Sequence, residues 1–102
     1  MRIIKKLTKD IREEFGDAEK YAKAALEAKT EYPVLADVFY RLASEEVDHA
    51  MRLHAEVVKI IDKAGKETTV PPVMKEIWAF EHDLLLDEMA EVKRLMEMYS
   101  KS

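Results

Sequence analysis

The sequence predicts an all-α fold: an antiparallel hairpin of two long helices followed by a third long helix, in one domain spanning residues 1–102. Three observations predict it. Helix breakers are few and clustered, since Pro33 follows Thr30-Glu31-Tyr32 and Gly65 opens a run that closes on Pro71-Pro72. The stretches between them, residues 2–29, 33–64 and 72–99, are rich in Ala, Leu, Glu, Lys and Met, all strong helix formers. Within each stretch the apolar residues recur at the helical period.

The first stretch sets Ile4, Leu7, Ile11, Ala18, Ala22 and Ala25 on one stripe. Pro33 suits the first turn of the second helix, where its missing N–H is no loss. The stripe of that helix reads Leu35, Phe39, Leu42, Leu53, Val57, Ile60 and Ala64, and Gly65 suits a position just past its end. Pro72 starts the third helix, with Trp78, Leu85, Met89, Val92, Met96 and Tyr99 in line. Helices of about 28 to 32 residues are roughly 42–48 Å long, and short connections fold such helices back on one another. Three of them leave apolar surface uncovered, so association between chains is expected, with a four-helix bundle completed by dimerisation.

Composition excludes several function classes. The chain has 102 residues, of which 48% are hydrophobic and 37% charged, enough for both a core and a solvated surface. Two glycines, Gly16 and Gly65, are too few for a phosphate-cradling loop or a dinucleotide fingerprint. Without cysteine there is no disulfide, no iron–sulfur cluster, no thiolate-bound zinc and no thiol nucleophile. A net charge of −4 argues against nucleic acid as a partner and favours cations. No apolar run is long enough to span a membrane, and Met1-Arg2-Ile3-Ile4-Lys5-Lys6-Leu7 does not read as a secretory leader, so a cytoplasmic location is the expectation.

The informative residues are polar ones standing in apolar seams. In the first helix the seam runs Leu7, Ile11, Glu14, Ala18, Tyr21, Ala25. In the second it runs Leu35, Phe39, Leu42, Glu46, His49, Leu53, Val57. Glu46 and His49 are one turn apart and share a face. An ionised carboxylate in a seam needs a partner, and carboxylate oxygens beside an imidazole nitrogen suit iron, manganese or zinc. Bundles that hold two metal ions use two lone glutamates and two Glu-x-x-His pairs from different helices. Glu14 with Glu46 and His49 is half of such a set, and a two-fold dimer would supply the other half. Taken singly, each residue also reads as a solvated surface acid or a hydrogen-bonded histidine.

Glu14, then Tyr21 seven residues on, then Ala43-Ser44-Glu45-Glu46-Val47-Asp48-His49-Ala50, resembles the first two helices of the ferritin-like superfamily, rubrerythrins and bacterial non-haem ferritins included. The resemblance covers residues of about 10 to 64. It implies a ferritin-like bundle, Glu14, Glu46 and His49 as iron ligands and Tyr21 as a hydrogen-bonding support that fixes ligand orientation. The half-site pattern is similar to encapsulated ferritins, which complete a di-iron centre between two chains and dock inside an encapsulin shell. Met98-Tyr99-Ser100-Lys101-Ser102 does not resemble the apolar docking tag of those proteins. Absent cysteine pairs also mean no rubredoxin-like electron-transfer unit in this sequence.

Trp78-Ala79-Phe80-Glu81-His82-Asp83 resembles the third ferritin helix, where a glutamate ligand sits beside aromatic and histidine residues. Glu81, His82 and Glu88 fall within or at the edge of the apolar arc, so Glu81 is a further candidate ligand and His82 and His54 are candidate supporting residues. The alternative is that Glu81 and Glu88 lie at a bundle boundary and pair with lysines, and that His82 is a partly buried dimer-contact residue. Together these readings imply a ferroxidase-type oxidoreductase: a homodimer or larger homo-oligomer that binds two Fe(II) ions per site and oxidises them with dioxygen or peroxide. The alternatives are a rubrerythrin-like peroxide reductase and a helical assembly module whose metal site is structural or vestigial.

Overall fold

The computed structural model describes residues 2–67 and 70–101. Helices α1 (Arg2–Ala28), α2 (Pro33–Glu67) and α3 (Pro72–Lys101) form a rod of 56 × 18 × 17 Å. The 35 residues of α2 rise about 52 Å, so this helix runs nearly the full length. The starts of α2 and α3 follow the prolines. Ala36 N donates to Tyr32 O at 2.9 Å, and Met74 N donates to Pro71 O at 3.0 Å, so Pro33 and Pro72 each take the first helical position. Gly65 does not end α2, contrary to its expected role. Its φ is not positive, and the helix continues through it to Glu67. Thr68 and Thr69 of the expected connection, and Ser102 of the last segment, lie outside the described residues.

α1 and α2 are antiparallel and make the most extensive interface; α3 leans on α1 and touches α2 lightly. α3 runs in the same direction as α1. Ile4 and Trp78 line one cavity, Arg12 Nε is 3.8 Å from Glu88 Oε1, and the Lys29 ammonium lies 4.6 Å from the centre of the Tyr99 ring.

Burial follows a heptad in every helix. In α1 the buried residues are Ile4, Thr8, Ile11, Phe15, Ala18, Ala22 and Ala25, spaced alternately by four and three. Such a repeat drifts around a straight helix and is kept in contact by supercoiling. In α3 the buried Leu85, Val92 and Tyr99 are seven apart. In α2 the buried set is Ala36, Ala43, Ala50 and Val57, also seven apart. This differs from the expected stripe. Leu35 is exposed, and Phe39, Leu42, Leu53 and Ile60 are only half-buried. Alanines on α2 facing Ala18, Ala22 and Ala25 on α1 let the two backbones approach closely, which turns the larger side chains of α2 onto its flank.

The far end of α3 is tied down. The Tyr99 hydroxyl donates to Asp37, its ring stacks on Tyr40 at 4.9 Å, and Lys29 donates to its carbonyl. Tyr99→Phe removes the bond to Asp37 and leaves the stack, so a melting temperature lower by a few degrees at unchanged helix content is expected from circular dichroism. One-turn ion pairs such as Lys6–Asp10 at 2.7 Å and Arg94–Glu91 at 2.6 Å lie on exposed faces and add little.

Candidate metal centre

The α1–α2 hairpin brings Glu14, Glu46 and His49 together midway along the rod. One ligand atom from each lies within 4.8 Å of the others. His49 Nδ1 is 3.5 Å from Glu14 Oε2 and 4.0 Å from Glu46 Oε2, too far for good hydrogen bonds. The two acids sit deeper than the imidazole, with side-chain exposures of 28% for Glu14 and 20% for Glu46 against 51% for His49. The ligand atoms therefore form a shallow cup whose open side is the imidazole edge. Close approach of the helices at Ala18, Ala43 and Ala50, all fully buried, fixes the spacing of the cup.

The electrostatics call for a cation. Glu14 Oε2 is buried and has no hydrogen-bond partner. The Glu46 carboxyl is pushed up to about 7, first because its acid form can hydrogen-bond to Glu14, then by burial and by the negative charge of Glu14; His49 acts in the opposite direction. Two carboxylates forced together without a positive charge hold on to a proton, and a bound metal ion replaces that proton. Two oxygens and one nitrogen form a donor set for iron, manganese or zinc, so these residues fit such an ion.

The other expected site residues go elsewhere within the chain. Tyr21 is half-buried and stacks on Phe39 at 6.3 Å, and its hydroxyl makes no hydrogen bond to the three ligand candidates. Glu81 lines a cavity with Arg2, Lys5, Ile77 and Trp78 near the start of α1, and the structure does not bring it into the group. The helical wheel placed Glu81 at an apolar arc, but that arc faces the α1 terminus, well short of Glu14 along the rod. Glu88 meets Arg12 rather than a lysine, and burial raises its carboxyl while Arg12 partly compensates. His54 and His82 pack on each other, with ring centres 5.2 Å apart, because His54 occupies the flank of α2 that faces α3 and His82 stands on α3; the metal candidates occupy the opposite flank of α2. Asp48 and Glu45 are exposed neighbours of the cup, and Asp17 adds a small negative contribution at Glu46.

Sequence reasoning missed the alanine heptad of α2 that sets the depth of the cup, although the seven-residue spacing of Ala36, Ala43 and Ala50 was there to be read. It also missed the pairing of the two histidines, which depends on how α3 docks.

Among the described residues no helix is long and apolar enough to cross a membrane. A search of the curated proteins and a search of the solved structures each returned no match. The family model for rubrerythrin matches residues 5–101, a span that takes in the metal candidates and nearly all of each helix, and on that match the chain belongs to the rubrerythrin family of the ferritin-like superfamily.

Proposed function

We propose that the chain binds Fe(II) between two copies of itself and oxidises it to Fe(III) with dioxygen or peroxide. The observation that carries this reading is the buried, partnerless Oε2 of Glu14 facing Glu46 and His49. Two Fe(II) ions held together supply two electrons, which with two protons reduce dioxygen to hydrogen peroxide, or peroxide to two waters. Glu14 and Glu46 contribute the negative charge that favours the more highly charged product ion. Glu46 gives up its proton as the cation enters. His49, neutral when it binds, offers Nδ1, the nitrogen that already faces both acids.

Three side chains do not saturate two metal ions, and a second copy supplies the matching three. Leu7, Tyr21, Phe39, Leu42 and Leu53 stand in the same two seams as the three candidates, each half-buried in the single chain, and their flank is the contact face of the dimer. The family match also favours a second reading, reduction of peroxide with electrons from a separate donor protein.

Iron oxidation tests the reading directly. Fe(II) is added without oxygen, air is admitted, and the Fe(III) absorbance is followed for wild type, Glu46→Ala and His49→Ala. Each substitution is expected to slow oxidation by roughly 100-fold or more, since even residues behind a metal ligand are worth 10–100-fold. Tyr21→Phe keeps the stack on Phe39 and removes a hydroxyl that touches none of the three candidates, so it is expected to leave binding unchanged. Equal oxidation by wild type and both alanine variants rejects the mechanism. Sustained peroxide consumption with an added reductant, faster than oxidation by air, selects the second reading. Solution mass with and without chelator reports whether metal holds the two copies together.

A further inference from the structure

A second group of potential ligands lies on the other flank of α2. The His54 and His82 rings are 5.2 Å apart between centres and tilted by 31°. Each ring nitrogen lies about 1 Å from its centre, so nitrogens turned toward each other stand roughly 3–4 Å apart, a gap that two metal–nitrogen bonds of about 2 Å bridge. Both rings line a small cavity of about 50 Å³ together with Phe15, Met51, Leu85 and Met89. Met51 is one turn before His54, so its thioether is on the same side of the helix. Among the described residues, acids and histidines converge three at a time only at Glu14, Glu46 and His49. Glu81 borders a neighbouring cavity that both histidines also line, but its carboxylate does not converge with them.

We propose that His54 and His82, with the Met51 thioether, form a second cation site at the α2–α3 seam, and that it takes copper(I). Two imidazoles and a thioether in an apolar setting, without a carboxylate, suit a soft ion of low charge and offer little to Fe(II). His54 is held below the ordinary histidine range by burial and by His82, so its lone pair is free at neutral pH. His82 is exposed, which gives the ion a route in from solvent.

Copper(I) itself is the probe, titrated without oxygen into the full chain against a chromophoric copper(I) chelator. The Glu46→Ala/His49→Ala double variant is expected to retain one copper per chain. His54→Phe, which keeps a flat ring in the slot, and His82→Ala are each expected to lower affinity at least 10-fold at unchanged helix content. Met51→Leu is expected to weaken copper(I) several-fold and leave zinc(II) affinity unchanged. Wild-type copper(I) affinity in both histidine variants, or loss of copper from the Glu46/His49 double variant, overturns the assignment.

Discussion

Replacing Glu46 with glutamine is expected to make the metal-free chain more stable at pH 8 while leaving it unable to hold iron. Glu46 is pushed up to about 7 in the folded chain against 4.5 for an ordinary glutamate, so the folded state binds its proton more tightly than the unfolded state does. The associated stability is fully present below pH 4.5 and is lost as pH rises through about 7. Above that, two charged carboxylates face each other with side-chain exposures of only 28% and 20%. Glutamine cannot ionise, and its amide can still donate to Glu14. The gain at pH 8 is expected to be about 1–3 kcal/mol, or roughly 5–15 °C in melting temperature. At pH 5 the wild type and the variant converge. Thermal melts at the two pH values, with elemental analysis of iron-loaded protein, check both halves. Superimposable melts at pH 8 would mean that the acids do not strain the fold. A residue whose removal helps stability and destroys binding is retained for its chemistry.

The second large effect is expected from Ala50→Leu. Ala50 has no exposed surface and packs into the cluster of Ile11, Phe15 and Ala18. A leucine there has no room, and overpacking of this kind costs about 1–3 kcal/mol. The helices relieve it by moving apart, which widens the 3.5 Å gap between Glu14 and His49. A displacement of about 1 Å in a positioned group can cost on the order of 100-fold in function, so a loss of iron affinity of 10-fold or more accompanies the loss of stability. Denaturant unfolding and competitive iron titration measure the two effects. Ala79→Leu, on an exposed face of α3, is the control and is expected to change neither.

These two substitutions mark what the sequence could and could not tell. Glu14, Glu46 and His49 were legible because a polar residue in an apolar seam is conspicuous, and three of them at compatible positions on two antiparallel helices point to one place. Helix starts were legible at Pro33 and Pro72 because proline fixes φ and removes a donor. The buried face of α2 was misjudged because hydrophobicity ranks leucine above alanine, whereas the closest helix contacts select the smaller residue. Gly65 misled because glycine permits a left-handed cap without requiring one. Glu81 and the two histidines depended on the register of α3 against the hairpin, and a helical wheel shows which residues share an arc, not which neighbour that arc meets.

The unequal interfaces of the rod have a consequence for its motions. Partial unfolding follows the thinnest contact, which is the seam between α3 and α2. The metal candidates lie on the other flank of the hairpin, so excursions of α3 leave their mutual spacing untouched. Breathing and chemistry are assigned to separate parts of the rod, and protection of backbone amides in α3 can vary without disturbing the carboxylate cup.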